Sequence, residues 1–323
     1  MRRLFVGTLT SLACLWVTVQ PAMAQREFVF FAQFNDAAGK PVTTLTAADI
    51  QVNEEGAAGK ILKLEPVDWP VRVALLLDNG TGSSERIVQV RNGAKGFIEA
   101  MPAGVETSLH TLSPQPRTLV RPTADKEALL KGVDLYTPDS GAGRFVEGLI
   151  ETVARFDKEK GNNFPVIVML GSLTTEGSQI RDRDVKQLFE RLSTRSITVH
   201  AVLAGNTNAG GSQGVANATQ IAIAATKQTG GQYQSIAAAT RLATLLPEIG
   251  AQIARSHERQ SQQYRITFER PQGKSGPVGQ VGLAAGGGVS VNLTLDGRMP
   301  QERRGEQCPM LNEAGVKGRE GQS

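Results

Sequence analysis

Cysteine is almost absent from this chain of 323 residues, and aromatic side chains are scarce. The two cysteines are Cys14, inside an apolar N-terminal stretch, and Cys308, inside a polar C-terminal stretch. If the N-terminal stretch is removed, Cys308 has no partner, which excludes an internal disulfide framework. Aromatic residues make up 5% of the chain and hydrophobic residues 40%. Stability must therefore come from a mostly aliphatic core, and the chain is long enough to build one.

An excess of charge of either sign is also lacking. The formal net charge is +4, and removal of residues 1–24 would take away two arginines and no acid, which leaves +2. So small an excess gives no indication of nucleic acid or an anionic membrane as a partner, and we expect no nucleic-acid partner. The Gly-x-x-x-x-Gly-Lys-Ser/Thr pattern of phosphate-binding loops is missing as well.

The first 24 residues have the three parts of an export signal. Arg2 and Arg3 precede a mostly apolar run, residues 4–19, and residues 21–24 (Pro-Ala-Met-Ala) offer a small-x-small cleavage site. We expect cleavage after Ala24 and a periplasmic or secreted protein. The alternative is lipidation at Cys14, although the small residues before it stand at unusual positions. We expect no membrane span, because no other segment has the required apolar length.

The hydrophobic pattern changes twice along the rest of the chain. Residues 26–68 and the region after Arg259 contain short alternating runs between turn residues, which is typical of strands. Between these regions, fully apolar runs alternate with segments of helical spacing. The clearest apolar runs are residues 71–77, 164–170 and 197–203. This alternation predicts an α/β fold with a doubly wound, mostly parallel sheet.

Two segments are less clear. Residues 242–253 have helical spacing, and we expect Pro247 at a joint or in the first turn of the helix, where proline is tolerated. Residues 276–281 have a looser strand pattern than the segments on either side. Trp69, just before Pro70, stands where the pattern changes, and we expect it to pack at that junction.

Several ordered motifs cover most of the chain after residue 24. The opening β segment matches Asp-x-x-Gly-x-Pro-Val-x-x-Leu-x-x-x-Asp, then an apolar residue and x-Val-x-Glu-x-Gly, through Asp36, Gly39, Pro41, Val42, Leu45, Asp49, Val52, Glu54 and Gly56. Residues 229–233 (Thr-Gly-Gly-Gln-Tyr) and the strand-like residues 263–268 supply two later motifs. This set resembles the exported bacterial group related to von Willebrand factor type A domains. The resemblance implies a type A domain inserted between N- and C-terminal β segments that pair into a small β sandwich.

The resemblance and the signal sequence together divide the chain into five parts. These are a signal peptide (1–24), an N-terminal β segment (25–69), the type A domain (70–258), a C-terminal β segment that pairs with the N-terminal one (259–296), and a tail (297–323). The tail is polar and rich in Gly, Arg and Glu, so we expect it to be disordered.

The type A family carries a metal-ion-dependent adhesion site, in which oxygen ligands from three loops hold Mg²⁺ or Mn²⁺. The family's first loop, Asp-x-Ser-x-Ser, reads Asp78-x-Gly80-x-Gly82 in this chain. The threonine of its second loop aligns with Gly143, and the aspartate of its third loop aligns with Ser172. One carboxylate cannot hold a hard dication that gives up its water reluctantly. The sequence therefore predicts a degenerate site, with no metal and no other cofactor.

Two interpretations of Asp78 stay open. As a remnant of the metal site, it accepts hydrogen bonds from the backbone of residues 80–84 or joins an ion pair. As part of a rearranged, weak metal site, it is assisted by substitute oxygens from Thr81, Ser83, Ser140, Ser172 or Glu176. Arg144, next to Gly143, would oppose a cation in that position.

We expect the protein to bind a protein partner without acting as an enzyme. The predicted surface, here called the crown, lies at the carboxyl ends of the strands and consists of Asp78, Asn79, Thr81, Ser83, Ser140, Arg144, Ser172 and Thr174. Weak metal-dependent adhesion, hydrolase activity and a structural role in an envelope assembly are the alternatives. The sequence indicates neither the partner nor the oligomeric state.

Catalysis by histidine is not expected. His110, His200 and His257 share no metal-ligand spacing, and the first two lie in predicted strands, so we expect structural positions for them. A Ser-His-Asp hydrolase is not expected either, because we place no Gly-x-Ser-x-Gly sequence on a strand-to-helix turn.

Overall fold

The computed structural model describes residues 27–81, 83–205, 212–274 and 277–294. The expected signal peptide (1–24), the expected tail (297–323), Gly82 and Cys308 lie outside the described residues. The five-part division of the chain stays a prediction.

The described strands are β1 (Glu27–Asn35), β2 (Ile50–Glu54), β3 (Ala57–Ala58), β4 (Lys60–Pro66), β5 (Val71–Leu77), β6 (Glu106–Thr111), β7 (Arg117–Thr123), β8 (Phe164–Ser172), β9 (Thr198–Ala204), β10 (Tyr233–Ile236), β11 (Tyr264–Glu269), β12 (Val281–Ala285) and β13 (Ser290–Thr294). The described α-helices are α1 (Ile87–Ala100), α2 (Lys126–Asp134), α3 (Phe145–Lys158), α4 (Asp182–Thr194), α5 (Gln213–Thr229) and α6 (Leu242–Gln260). Within these ranges, no helix is both long and apolar enough to pass through a membrane.

The central sheet has the strand order β10-β9-β8-β5-β6-β7. All neighbours in it are parallel except β6 and β7, which are antiparallel. The most apolar strands, β5 and β8, lie in the middle of the sheet, where helices cover both faces. The register sets Leu77 beside Thr111 and Leu170, so these three strands end at one edge of the sheet.

Helices cover both faces of this sheet. Alternate side chains of β5 point to opposite faces, so Val73, Leu75 and Leu77 pack with α1, α2 and α6, while Ala74 and Leu76 pack with α3, α4 and α5. The doubly wound, mostly parallel α/β fold predicted from the sequence is confirmed by this arrangement.

A small β sandwich adjoins the central sheet. One of its sheets has the order β13-β1-β11-β4 and the other the order β12-β2-β3. β1 pairs antiparallel with both β11 and β13, so segments before and after the α/β domain share one sheet, as the fold prediction requires. Its core holds Phe30, Phe34, Ile266 and Phe268.

Strand β12 was not predicted, and it begins at the end of the segment whose strand pattern is looser. Its residues, Val-Gly-Leu-Ala-Ala, have weak strand propensity. They form a strand because β2 offers a full antiparallel edge, with Leu283 opposite Val52. Tertiary pairing therefore overrides local preference here.

An ion pair is enclosed in the sandwich. The side chains of Glu54 and Arg270 are 1% and 4% exposed, and Arg270 Nε donates to Glu54 Oε2 at 2.8 Å. Arg270 Nη2 donates to Glu54 Oε1 at 2.5 Å, and the Gly279 amide donates to the same oxygen at 2.9 Å. The Arg270 hydrogen bonds lower the pKa of Glu54 to about 2. This pair ties β2 to the chain that follows β11.

Trp69 packs at the junction of the sandwich and the central sheet, as predicted. Its ring centroid lies 5.5 Å from that of Phe31 and 5.4 Å from that of Phe164. Its carbonyl lies 2.9 Å from His257 Nε2. These contacts connect β1, β8 and α6 around one aromatic side chain.

Pro247 lies inside α6, beyond its first turn, so the expectation for this residue was wrong. Proline removes one hydrogen bond from a helix interior. Here the helix continues because its apolar side packs closely on α1: a Cβ added to Gly96 would lie only 2.7 Å from Pro247 Cγ. Burial of Leu246 and Ile249 on either side of Pro247 stabilises the helix through tertiary packing.

Candidate functional site

The crown lies where β5, β6, β8 and β9 end at their carboxyl edge. Three loops form it: the first crown loop (residues 78–83), the second (140–144) and the third (172–176). Open α/β sheets bind their ligands at this edge. The fold therefore brings together the three segments that the sequence predicted to meet.

Asp78 is the first residue after β5 and is 7% exposed. Its Oδ1 accepts a hydrogen bond from the Gly80 amide at 2.9 Å, and the dipole of the Ser172 amide also favours the charged form of the carboxylate. The expectation that Asp78 bonds its own turn is confirmed. Burial raises the pKa of Asp78, while these two amides and the charge of Arg86 act in the opposite direction.

Arg86 supplies positive charge beside Asp78. Its Nη1 donates to the carbonyl of Ala204 at 2.6 Å, at the end of β9, and its Nη2 donates to Ser172 Oγ at 3.3 Å, at the end of β8. The guanidinium thus bonds to the ends of β8 and β9. It lies beside the carboxylate of Asp78, at the end of β5. The sequence did not predict this residue as part of the site, because an arginine near the start of a predicted helix is common and carries no functional signal.

Arg144 does not have the position that the sequence reasoning gave it. Its Nη1 donates to Glu147 Oε2 at 2.9 Å, one turn along α3, and its side chain is 30% exposed. The cationic group that opposes a metal ion beside Asp78 is Arg86 instead.

Gly80 and Gly143 stand where side chains have no room. A Cβ added to Gly143 would overlap the Asp78 carboxylate. A Cβ added to Gly80 would lie 2.5 Å from the Gly143 nitrogen and 2.8 Å from the Gly141 carbonyl oxygen. The first and second crown loops therefore touch where the family places its serine and threonine ligands.

The residues present do not fit a hard divalent cation. Mg²⁺ requires about six oxygen ligands in near-octahedral geometry. This site offers one carboxylate, hydrogen-bonded to the Gly80 amide, with a guanidinium beside it. In the described part of the chain, no group of three or more His, Cys, Asp or Glu residues is placed to hold a metal ion.

The crown loops bond directly to one another. The Thr81 amide donates to the Gly141 carbonyl at 2.8 Å, and Thr81 Oγ1 donates to the Ser140 carbonyl at 2.8 Å. Glu176 Oε2 accepts from the Phe145 amide at 3.1 Å, which caps the start of α3, and burial raises the pKa of Glu176. Thr81 and Glu176, two of the substitute ligands in the rearranged-site interpretation, are thus already engaged by the protein.

Asn79 connects the first crown loop to the segments that follow β6 and α2. It is 4% exposed, its Oδ1 accepts from the Ser113 amide at 2.8 Å, and its Nδ2 donates to the Thr137 carbonyl at 3.0 Å. The Tyr136 hydroxyl donates to the Asp78 carbonyl at 2.7 Å. These contacts fix the first crown loop on the sheet, and they leave Asn79 no free side-chain amide.

The eight predicted crown residues differ in accessibility. Asp78, Asn79 and Ser83 are buried. Arg144 and Ser172 are half-buried, and the Ser172 hydroxyl lies 2.6 Å from Thr174 Oγ1. Thr81, Ser140 and Thr174 are exposed. The part of the crown that faces solvent is therefore a small group of hydroxyl side chains.

His110 and His200 are buried in strands, at 4% and 2% exposure, as expected. Arg155 Nη1 lies 3.0 Å from His110 Nδ1, so the ring proton belongs on Nε2, which faces Ser108 Oγ at 2.9 Å. Burial, with a smaller effect from Arg155, lowers the pKa of His110 to about 3. This histidine donates to Ser108 and is a weak base, so the pair lacks the arrangement of a nucleophile with its general base.

The sequence reasoning overlooked one match to the hydrolase pattern. Residues 210–214 read Gly-Gly-Ser-Gln-Gly and run from the β9–α5 connection into the first two residues of α5. Ser212 is the N-cap of α5, and its Oγ accepts from the Val215 amide at 3.4 Å. Gly210 and Gly211 lie outside the described residues. The observed contact of Ser212 is the ordinary one of a helix cap.

Replacing Arg86 by methionine is expected to destabilise the protein by about 1–3 kcal/mol, because a buried carboxylate loses its nearby positive charge. In an Asp78→Asn background, Arg86→Met should lower the stability by clearly less, because the negative charge that Arg86 offsets is already gone. Thermal unfolding of the wild type, both single variants and the double variant measures the coupling. Equal costs in the two backgrounds would show that Arg86 stabilises the protein through contacts that do not depend on the charge of Asp78.

Comparisons with known proteins bear on the fold alone. No protein-family model matches the sequence, and no curated protein matches it. Among solved structures, a von Willebrand factor type A protein from Catenulispora acidiphila is 12% identical, with 85% of this chain and 74% of that chain covered and a TM-score of 0.47. BatB from Bacteroides thetaiotaomicron is 11% identical over 58% of this chain and 100% of that chain, with a TM-score of 0.45.

A third similar structure is that of proximal thread matrix protein 1 from the mussel byssus. In that structure, zinc occupies the metal-ion-dependent adhesion motif. It is 16% identical, with 59% of this chain and 49% of that chain covered and a TM-score of 0.45. Such distant similarity transfers no ligand or activity to this chain. The strand order and the two helix layers confirm the fold predicted from the sequence, and the chain is similar in fold to von Willebrand factor type A domain proteins.

Proposed function

We propose that this chain is an exported, non-enzymatic protein that binds a protein partner through the crown without a metal ion. The observation that supports this most strongly is the contact between Gly143 and the Asp78 carboxylate. In the family pattern, a threonine and an aspartate approach a shared ion at this point. Here the two loops approach each other, and Arg86 provides the positive charge.

The partner surface is formed by the exposed crown residues Thr81, Ser140 and Thr174. Their hydroxyl groups are uncharged and able to donate and accept hydrogen bonds. Recognition through them depends on shape and hydrogen bonding, and it does not require an acidic partner residue to complete a metal shell. Adding phosphate or a metal chelator should therefore leave the affinity for the protein partner unchanged.

Export is supported by the sequence of residues 1–24. Mass spectrometry of the protein recovered from the cell envelope should give an N-terminus at Gln25. A protein that keeps residues 1–24, or one lipidated at Cys14, would require a different location or a membrane anchor.

Partner binding is tested with charge-adding variants of exposed crown residues. A pull-down from envelope extracts with the wild type identifies the partner, and the affinity of the purified pair is then measured. Ser140→Arg and Thr174→Arg should each weaken binding about 10-fold or more, since an unpaired charge is placed in the contact surface. Gln187→Arg, on an exposed position of α4 away from the crown, adds the same charge and should leave the affinity unchanged.

The pattern across these variants decides the proposal. If Ser140→Arg and Thr174→Arg bind like the wild type, the crown is not the partner surface. If Gln187→Arg weakens binding as much as they do, the effect comes from net charge and the crown has no special part in it.

A further inference from the structure

A cavity lies on the α3 face of the central sheet, away from the crown. The cluster of apolar side chains on this face joins α3, α4 and α5 to β5, β8 and β9. On β6 and β7, most of the lining side chains are polar and include Ser108, His110 and Thr118. The cavity between them and α3 has a volume of about 120 Å³. It begins near Arg72 and Glu106, at the amino ends of β5 and β6, so it is separate from the crown.

One buried hydroxyl in this cavity has no partner. Thr152, on α3, is 3% exposed, and its Oγ1 makes no hydrogen bond in the described structure. A buried polar atom left unsatisfied costs about 1–3 kcal/mol. In a helix, a threonine hydroxyl usually bonds to a carbonyl in the preceding turn. A hydroxyl that instead lines a cavity unpaired is able to bond to a molecule held there.

The charges around the cavity are unevenly matched. Arg72 lies between two carboxylates, with its Nε 2.9 Å from Glu106 Oε2 and its Nη1 2.9 Å from Glu159 Oε2. In that cluster, two carboxylates face one guanidinium, so the negative charge is in excess. Arg121, on β7, is exposed at the rim and forms no ion pair within the described ranges.

Arg155 is the third arginine of the cavity. It bonds to His110 and Thr118, and its contact with Glu151 is long, at 3.4 Å. Near Arg121 and Arg155 the cavity therefore has one more positive than negative charge, because Glu151 offsets one of these two arginines. The rest of its surface is mostly apolar and includes Ala74, Pro122 and Phe156.

We propose that this cavity binds a small organic monocarboxylate. Its carboxylate would accept hydrogen bonds from the Thr152 hydroxyl and from Arg121 or Arg155, and its short apolar chain would contact Ala74, Pro122 and Phe156. The cavity volume of 120 Å³ equals the space of about four water molecules, which suits a chain of three or four carbons. Arginine is well suited to such a site because its planar fork matches a carboxylate.

Butyrate is the probe for this proposal. Its binding to the full-length mature protein is measured by thermal shift and by calorimetric titration, beside butyramide, butylamine and chloride at equal ionic strength. We expect saturable binding of butyrate at millimolar concentration, with butyramide, butylamine and chloride at least about 10-fold weaker. Equal shifts with butyrate and chloride would mean that only ionic strength matters, and no saturable butyrate binding would overturn the proposal.

Three variants locate the site. Thr152→Val keeps the side-chain shape, so it should weaken butyrate binding while leaving the ligand-free protein as stable as the wild type or more stable, because an unsatisfied hydroxyl is removed. Arg121→Gln should weaken binding about 5-fold or more. Arg117→Gln, exposed on the same strand and outside the cavity lining, is the control and should bind like the wild type. Unchanged binding by Thr152→Val and Arg121→Gln would place butyrate elsewhere and reject this cavity as its site.

Discussion

A double variant, Gly80→Ser with Gly143→Thr, is expected to lose stability and to gain no metal ion. The substitutions restore two hydroxyl groups that the type A family uses as ligands. In this protein they meet the Asp78 carboxylate and the backbone of residues 141–143. Overpacking of a tightly packed site costs about 1–3 kcal/mol for each substitution, and more when backbone must move. We therefore expect a loss of about 3–6 kcal/mol, which lowers the melting temperature by roughly 6–24 °C.

The control for this variant is Gly286→Ser. An added Cβ at Gly286 would meet nothing within 4 Å, so the same chemical change should alter stability by less than about 0.5 kcal/mol. Thermal unfolding with and without millimolar Mg²⁺ measures both quantities. A double variant that melts close to the wild type, and whose melting temperature rises with Mg²⁺, would contradict this expectation. It would show that the two loops separate around an ion and that two substitutions restore the metal site.

Replacing Glu54 by glutamine should have the second large effect. The change leaves Arg270 enclosed in the sandwich without its carboxylate, and loss of one partner of a buried ion pair costs about 3–5 kcal/mol. The melting temperature should fall by about 6–20 °C at neutral pH. Glu55→Gln, at the neighbouring exposed residue that pairs with Lys274, should change stability by less than about 1 kcal/mol.

The cost of Glu54→Gln should also depend on pH. The pKa of Glu54 is lowered from 4.5 to about 2 by Arg270, so the folded state favours the ionised form. The pair therefore contributes fully above about pH 4.5, and its contribution is lost as the pH falls toward 2. The stability difference between the wild type and Glu54→Gln should shrink over that interval. A difference that stays constant from pH 7 to pH 3 would show that packing, and not charge, accounts for the effect.

The sequence predicted the parts of the fold that depend on local pattern. The apolar run of β5, ending at Asp78, identified a central strand and the position of the crown, because alternation and burial follow directly from residue type. The family resemblance implied that the N- and C-terminal β segments pair, and the structure shows this pairing as β1 with β11 and β13. The strand β12 was missed because it forms only through its contact with β2.

The site was less predictable, because its main features depend on three-dimensional proximity. The sequence showed that ligand residues were missing at Gly80, Gly143 and Ser172. It did not show that the loops close over the missing side chains, since a Cβ clash is a property of packing. Arg86 follows Asp78 by eight positions and became relevant only when its guanidinium was seen to reach the ends of β8 and β9.

The central claim is that the crown works without a metal ion, and a titration of the wild type with Mn²⁺ tests it most directly. A ligand that binds the folded state raises the melting temperature in proportion to the logarithm of its concentration above the dissociation constant. We expect the melting temperature of the wild type, and that of Asp78→Asn, to stay unchanged up to millimolar Mn²⁺. A rise in the wild type that disappears in Asp78→Asn would contradict the claim and place a metal ion at Asp78.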